Sequence, residues 1–253
     1  MLILIDIGNT NIKTGFYENS SYKEVLNIGT GSLQDPGKYT SLINRVIKSL
    51  HLKYPSGCVL CSVVPEVTPL VSEAIRKSFD IKPLHVTHKT KTGIKFPAAL
   101  GADRIANAVA VRRLYKGNII VITFGTATTF SVITSKGEYR GGAIMPGIGL
   151  SFNALAEKTA KLPKIKLKKS FTLLGESTED NILSGVILGH AGAVERIVHE
   201  ISVKFRRSRP VVVATGGYTD MIERYTTVID HINPLLTLEG LRFIYELDAK
   251  IKT

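Results

Sequence analysis

The first part of the chain consists of short apolar runs separated by turn-forming residues. Three runs, Leu2–Asp6, Ile12–Tyr17 and Glu24–Ile28, have the length of β-strands and are followed by glycine, asparagine or serine, so they predict strands. Apolar residues at 3.6-residue spacing over 42–50 and 67–75 predict two helices that each pack by one face. The remaining predicted elements of this part are a strand at Gly57–Val64, a strand at Pro83–Val86 and a helix that begins near Ala102.

The same order of elements begins again after Gly117. Strands at Ile119–Thr123 and Thr128–Thr134 flank a small turn, and a third strand leads into "YRGGAIMPGIG". The other predicted elements are helices at about Leu150–Ala160, Thr178–Phe205 and Leu238–Ile251 and a strand at Pro210–Ala214. Both halves therefore run strand, turn, strand, strand and then mixed helix and strand. We predict an α/β protein of two lobes with duplicated topology, residues 1–116 and 117–253.

The composition is that of a globular protein with an ample core: 253 residues, 44% hydrophobic and 21% charged. Its apolar runs, such as Ile119–Ile122, are far too short to cross a bilayer. Asp6 interrupts the first apolar run and no basic segment precedes it, which argues against a signal peptide. We therefore expect a cytoplasmic protein with no membrane partner.

Positive charge is concentrated in two segments, within a formal net charge of +12 at pH 7. In Lys161–Lys169 the lysines alternate with Ile165 and Leu167, which is typical of a strand with one wet face. The second segment, 204–209, has three arginines and a lysine, with the single aromatic residue Phe205 between Lys204 and Arg206. A solvated surface is favoured over a nucleic-acid surface, and steering of an anionic small molecule stays open.

The two cysteines, Cys58 and Cys61, lie three residues apart in the predicted strand Gly57–Val64. Residues three apart on a strand point to opposite faces, which is poor geometry for one disulfide or one shared metal ion. The sequence has no second CxxC and no HxxxH. Two buried thiols are therefore predicted, rather than a redox pair or half of a zinc site.

Two strand–turn–strand segments carry candidate chemistry: "LILIDIGNTNIKTGFY" and "IIVITFGTATTFSVI". Neither contains a Walker P-loop or a GxGxxG fingerprint. In the first, Gly8 lets the backbone approach an anion, its N–H and those of Asn9 and Thr10 can line an anion-binding concavity, and Lys13 follows. Asp6 stands where it can hold hydrated Mg²⁺ against phosphates.

The second segment offers backbone N–H groups and the hydroxyls of Thr126, Thr128 and Thr129, but no lysine. Either segment alone is more often a plain hairpin than a ligand site. Their matching places in a duplicated topology favour a nucleotide cleft between the lobes, with both turns holding one phosphate chain.

Two further kinds of turn precede predicted helices. In Gly101–Arg104 the acid Asp103 lies in the first helical turn, where it is either a capping residue or a proton acceptor beside an anion-binding arginine. Spacing alone does not choose between these interpretations. The glycine-rich stretch "GGAIMPGIG" suits either a tight turn or a close approach of the backbone to a ligand. Thr215–Gly217, between a predicted strand and a helix, would make room for a planar base or a phosphate.

Six ordered motifs resemble those of type III pantothenate kinases, from Met1 to about Leu247: "DIGNTNIKTG", "LGADRIANAVA", "FGTATTFSVI", "GGAIMPGIGLSFNALAEKTAKLP", "TGGY" and "LTLEGL". The resemblance implies two ribonuclease-H-like lobes of the actin-like ATPase fold, with mixed sheets and an interlobe nucleotide cleft. It also implies ATP-dependent phosphorylation of the primary hydroxyl of pantothenate, the first step of coenzyme A biosynthesis. A homodimer with the pantothenate pocket at the subunit interface is expected from the same resemblance.

The resemblance assigns roles to individual residues. Asp103 matches the proton acceptor, and Asp6 the acid linked to Mg²⁺. The phosphate-binding motif covers Asp6, Ile7, Gly8, Asn9, Thr10, Asn11, Ile12 and Lys13. In the second half, Thr126 matches a contact to ATP, and Gly216 and Gly217 match the loop on the adenosine side. The pantothenate contacts are Gly101, Ala102, Asp103, Arg104 and Thr178.

Two positions depart from the pattern that the resemblance leads us to expect. The family commonly has an aspartate at the position of Thr123, where it holds K⁺ or NH₄⁺, and threonine brings no charge. Ile94 stands where an aromatic residue often precedes the GADR stretch, although Phe96 is nearby. We therefore expect weak or absent activation by a monovalent cation.

Three other functions compete with this one. A different small-molecule kinase or phosphatase of the superfamily is disfavoured by the GADR stretch and Thr178. A nucleotide-binding accessory or regulatory protein is favoured by Thr123 and the +12 charge, but it would not need Asp6 and Asp103. A nucleic-acid binder ranks third, and it should be retained on DNA with a steep salt dependence.

Overall fold

The computed structural model describes residues 1–32, 35–165, 168, 171–205 and 208–252. Its packing divides the chain into two compact units, residues 1–114 with 235–253 and residues 115–234. Each unit is built on one five-stranded sheet, and each sheet contains both parallel and antiparallel strands. The expected α/β fold with two mixed sheets is confirmed.

The first unit has a sheet of order β3-β2-β1-β4-β5. Its strands are β1 (Leu2–Ile7), β2 (Asn11–Glu18), β3 (Ser21–Gly29), β4 (Gly57–Ser62) and β5 (Leu84–His85). The first three form an antiparallel meander, and β4 and β5 run parallel to β1. Its helices are α1 (Pro36–Ser49), α2 (Thr68–Phe79), α3 (Ala102–Leu114) and α7 (Leu236–Lys252).

Helices cover both faces of this sheet, which explains why β1 and β4 are almost wholly apolar. Cys58 packs with the buried residues of α1 and α2 on one face. Cys61 packs with those of α3 and α7 on the other face. Both cysteines are buried free thiols on opposite faces, as the strand periodicity predicts.

Helices α3 and α7 cross at a very short distance. A Cβ atom at Gly240 would collide with the backbone carbonyl of Ala106, so only glycine fits at this crossing. Beside it, the hydroxyl of Thr237 donates to Oδ1 of the buried Asn107 at 2.9 Å. The last helix therefore belongs by packing to the first unit, whereas the sequence-based division at residue 116 places it in the second lobe.

The second unit repeats the strand arrangement of the first, with order β10-β9-β6-β7-β8. Its strands are β6 (Ile119–Phe124), β7 (Ala127–Ile133), β8 (Tyr139–Pro146), β9 (Val211–Thr215) and β10 (His231–Ile232). Its helices are α4 (Ile148–Lys158), α5 (Thr178–Val203) and the short α6 (Thr219–Ile222). An antiparallel meander again adjoins two parallel strands, which confirms the duplicated topology.

The predicted helices and strands agree with the observed ones to within a few residues, except in the basic segment. Residues 161–165 form no strand, although the alternation of lysines predicted one. Alternating polarity over so few residues is weak evidence without a neighbouring strand to pair with. Lys166, Leu167, Lys169, Arg206 and Arg207 lie outside the described residues. Among the helices that the structure describes, none is long and apolar enough to span a bilayer.

Candidate active site

The turn between β1 and β2 is a tight hairpin whose tip is exposed. Pairing ends at Ile7 and Ile12, and the N–H of Gly8 donates to the carbonyl of Asn11 at 2.9 Å. A Cβ at Gly8 would lie 3.1 Å from that carbonyl oxygen, so the turn closes best around glycine. Asn9 and its successor Thr10 are exposed at the tip.

This geometry changes the expected role of Gly8. Its N–H is engaged inside the turn, so it does not face outward as an anion donor, as the sequence analysis expected. Ile7 and Ile12 have fully buried side chains, so only their backbone atoms are able to contribute to a ligand site. An anion at this turn would therefore meet the tip residues and Lys13, which pairs with Asp6 across the two strands.

Asp6 lies near the end of β1 and is hydrogen-bonded from the neighbouring strand. Parallel pairing sets Cys61 of β4 opposite Asp6, and the thiol donates to Asp6 Oδ1 at an Sγ···O distance of 3.3 Å. Partial burial, and then the negative charge of Asp103, raise the pKa of Asp6 to about 6, while the Cys61 hydrogen bond and Lys13 oppose that rise. Burial raises the pKa of Cys61 as well, so the thiol stays protonated and acts as a donor.

Asp103 sits in the first turn of α3, half-buried beside the segment that follows β4. Burial raises its pKa, and the backbone N–H of Arg104 and the charge of Arg104 act in the opposite direction. The preceding Gly101 makes room for the carboxylate, since a Cβ there would lie 2.6 Å from Asp103 Oδ1 and 3.5 Å from Val63 Cγ1. Ala102 is buried and anchors the start of the helix.

The first unit thus brings two carboxylates within electrostatic reach of each other and of a lysine. Two close, partly desolvated carboxylates are able to take different roles. One can bind a divalent cation in its ionised form, and the other can accept a proton. No group of three or more potential metal-ligating side chains occurs in the described parts of the chain. Mg²⁺ keeps most of its water and needs few protein ligands, so Asp6 with substrate phosphates fits it.

In the second unit, two glycines pack closely against the turn between β6 and β7, which the sequence analysis predicts to bind a ligand. The N–H of Gly147 donates to the carbonyl of Thr126 at 3.1 Å, and a Cβ at Gly147 would collide with the Gly125 and Thr126 carbonyls. Gly216 has φ +106°, and a Cβ there would collide with the backbone of Phe124. Thr126 and Gly216 therefore adjoin the same end of β6.

Three other predicted residues of the second unit occupy different environments. Gly217 has open space around its Cα. Thr123 is half-buried within β6, between Thr129 on β7 and Thr215 on β9. Thr178 is exposed at the start of α5, where it lines a hollow of about 430 Å³ with apolar residues of α4 and α5.

Sequence reasoning missed two residues that contact this site. Cys61 was interpreted only as a buried thiol, and its contact with Asp6 follows from the parallel register of β1 and β4, which no local pattern shows. Thr30, just after β3, donates its hydroxyl to the carbonyl of Gly8 at 2.6 Å. The available signal was a threonine two residues after the predicted strand Glu24–Ile28, and it is a weak one.

Comparison with known proteins shows the family of the chain. A protein-family model described as type III pantothenate kinase matches residues 2–200. The chain is also 43% identical over 254 residues to the type III pantothenate kinase of Roseiflexus sp. (strain RS-1), covering 98% of this chain and 99% of that protein. The chain belongs to the type III pantothenate kinase family. The kinase expected from the sequence is thereby confirmed.

Solved structures extend the comparison to the fold of this family member. A Campylobacter jejuni protein described as a Baf family transcriptional activator matches with a TM-score of 0.62, 16% identity and 98% and 99% of the two chains covered. The activator of 2-hydroxyisocaproyl-CoA dehydratase from Clostridium difficile, solved with bound ADPNP, matches with a TM-score of 0.52, 13% identity and 99% and 97% coverage. At such identities the likeness shows the fold alone.

Proposed function

We propose that this protein transfers the γ-phosphoryl group of ATP to the primary hydroxyl of pantothenate, with Asp103 as the proton acceptor. The observation that carries the proposal is the placement of Asp103 at the start of α3, within electrostatic reach of Asp6. Phosphoryl transfer depends mainly on positioning and on neutralising charge. Asp103 would act on the hydroxyl of pantothenate, and Asp6 would hold the cation at the phosphates. The family membership of the chain supports the same reaction.

Asp103 would accept the hydroxyl proton as the oxygen of pantothenate attacks phosphorus. Partial burial raises the pKa of Asp103, which makes the carboxylate a better base than an exposed aspartate. The backbone N–H and the charge of the neighbouring Arg104 oppose that rise in pKa. Gly101 leaves the space that the carboxylate occupies.

Asp6 and the turn that follows it would bind the phosphate end of ATP. Asp6 would hold a hydrated Mg²⁺, which would supply positive charge against the phosphates of ATP. Lys13, paired with Asp6 across the hairpin, would add a positive charge to the same place. The exposed Asn9 and Thr10 at the tip are the residues of the turn that a phosphate would meet first.

The second unit carries candidate nucleotide contacts of its own. Thr126 is held by Gly147 in a turn at the end of β6, which supports a contact with ATP. Gly216 and Gly217 follow β9 and would leave room for the adenosine moiety. A side chain at Gly217 would occupy that room, whereas one at Gly216 would collide with the backbone of Phe124.

Pantothenate would be recognised by Arg104 and Thr178. A guanidinium binds a carboxylate with two parallel hydrogen bonds, and pantothenate carries one carboxylate. Thr178 is exposed beside a hollow of about 430 Å³, which supports a contact with a small ligand. Gly101 and Ala102 would bring backbone atoms close to the same substrate.

We expect the working form to be a cytoplasmic homodimer. Helices α4 and α5 border a second hollow of about 500 Å³ lined by mostly apolar groups. On α4 and β8, Leu150 and Ile144 are exposed by 43% and 65%, which supports a surface covered by another copy. Light scattering coupled to size exclusion tests the expectation, and a monomer at micromolar concentration would contradict it.

The deciding experiment follows ADP release from MgATP with and without pantothenate. Wild-type protein should release ADP only when pantothenate is present. Asp103→Asn should lower kcat by ~10²–10⁴-fold while the protein stays folded. Asp80→Asn, an exposed aspartate at the end of α2, is the matched control and should keep full activity. Pantothenate-independent ADP release, or an active Asp103→Asn protein, would overturn the proposal.

A further inference from the structure

Thr30 is the first residue after β3, and it is only 6% exposed. It makes two hydrogen bonds to the turn between β1 and β2, which is distant in sequence. Its hydroxyl donates to the carbonyl of Gly8 at 2.6 Å, and its backbone N–H donates to the carbonyl of Thr10 at 2.9 Å. One residue therefore holds two carbonyls on either side of Asn9.

These contacts control where the turn points its donors. In a trans peptide unit the C=O and the following N–H point in opposite directions. Because the Gly8 carbonyl points at Thr30, the N–H of Asn9 in the same peptide unit points away from Thr30. The third backbone contact of the turn, from Gly8 N–H to the Asn11 carbonyl, closes it from inside. The Asn9 N–H thus has a defined direction at the exposed tip.

The hydroxyl of Thr30 is the part of this arrangement that a mutation can remove cleanly. Valine has nearly the same shape as threonine but no hydroxyl, so it would leave the Gly8 carbonyl without this donor. The backbone N–H of residue 30 would still donate to Thr10. The strand end would remain attached, and only the orientation of the Gly8–Asn9 peptide unit would be released.

We propose that Thr30 is a positioning residue for nucleotide binding: its hydroxyl orients the Gly8–Asn9 peptide unit so that the Asn9 N–H is presented to the phosphates of ATP. The inference rests on the proposed function, since it assumes that this turn binds the phosphate end of the nucleotide. Thr30 itself is buried behind the turn, so a bound nucleotide would meet the turn and not the Thr30 side chain. Its effect should therefore appear in nucleotide binding and leave pantothenate binding unchanged.

The test compares Thr30→Val with Thr30→Ser, which keeps a hydroxyl at the same atom. We expect Thr30→Val to raise the KM for MgATP by about tenfold, as expected for the loss of a buried hydrogen bond that positions binding groups. The KM for pantothenate should not change. Thr30→Ser should restore most of the affinity. Calorimetric titration with the non-hydrolysable analogue MgADPNP should show the same order of affinities without turnover.

The matched control is Thr14→Val in the adjacent strand β2. Thr14 is fully buried and its hydroxyl is hydrogen-bonded to Tyr39 at 2.7 Å, so its loss should lower stability by a similar amount. It should leave the KM for MgATP unchanged, which separates positioning from general destabilisation. Equal MgATP affinities in Thr30→Val, Thr14→Val and wild type would overturn the inference. Wild-type protein without pantothenate-dependent ADP release would overturn the proposed function instead.

Discussion

Cys61 donates its thiol hydrogen to the carboxylate of Asp6 across the pairing of two parallel strands, with Sγ 3.3 Å from Oδ1. The thiol is buried and its pKa is raised, so it remains a donor throughout the neutral range. Asp6 nevertheless keeps a raised pKa, because partial burial and the charge of Asp103 outweigh this single weak hydrogen bond. The fold therefore holds Asp6 in a place that disfavours its charge when no cation is bound.

A first prediction concerns Asp6 and stability. The carboxyl has an ordinary pKa of 3.8 and a folded-state pKa of about 6, so the folded state binds more protons between these values. The ionised form destabilises the fold as pH rises through this window, and the penalty is complete above it. Asp6→Asn should then raise the free energy of unfolding by about 1–2 kcal/mol at pH 7.5, because solvent screens part of the penalty at a half-buried group. The same substitution should abolish activity.

The measurement is urea unfolding of wild type and Asp6→Asn at several pH values in the absence of Mg²⁺. The stability difference should disappear well below pH 3.8, where both states hold the proton. Asp80→Asn serves as a control, because its exposed carboxylate should give no such pH-dependent difference. A stability difference that stayed constant from pH 4 to pH 8 would show that the charge of Asp6 is not its cause.

A second prediction concerns the space that Gly101 leaves for Asp103. Alanine there would put a methyl group about 2.6 Å from Oδ1, so the carboxylate must turn away from its present position. A misplaced reacting group costs up to about 10²-fold in rate, so kcat for Gly101→Ala should fall by about 10–100-fold. The melting temperature should change little, since the carboxylate can rotate. Unchanged kcat would mean that the position of Asp103 observed here is not the reactive one.

A third prediction concerns the crossing of α3 and α7. Gly240→Ala should destabilise the protein by about 1–3 kcal/mol, because a Cβ collides with the Ala106 carbonyl and the helices must separate. Gly192→Ala in α5 is the control, since no atom lies within 4 Å of the added Cβ, and it should stabilise by about 0.5–1 kcal/mol. Urea unfolding of both variants measures whether the free energy of unfolding falls or rises. Stabilisation by both substitutions would contradict the close crossing.

A fourth prediction concerns the monovalent cation. Thr123 is half-buried and uncharged at the position where the family pattern leads us to expect an aspartate, so K⁺ should activate the enzyme weakly or not at all. Rates should be measured with K⁺ replaced by a bulky organic cation at constant ionic strength. Thr123→Asp should introduce a K⁺ dependence. A steep rise of the wild-type rate with K⁺ would show that neutral oxygens suffice at this site.

The elements and site residues that the sequence analysis predicted share one property: the pattern that indicates each of them lies within a short stretch of the chain. Strand and helix periodicities show directly in short windows, and the Asp6 and Asp103 motifs can be read off within ten residues each. The residues that were missed act across long sequence distances. Thr30 contacts a turn about twenty residues away, and Cys61 reaches Asp6 from 55 residues away. No pattern along one strand reports which residue of another strand stands beside it.

The sequence by itself determined the order of elements, the duplicated topology, the acids at two turns and the family, because apolar periodicity and ordered motifs are properties of the chain. Tertiary structure decided the rest. Packing of Gly240 against Ala106 assigned the last helix to the first unit, and the inward hydrogen bond of Gly8 changed which donors of the turn can meet a phosphate. Both depend on distances between segments far apart in the chain, and these exist only once the sheets and helices have packed.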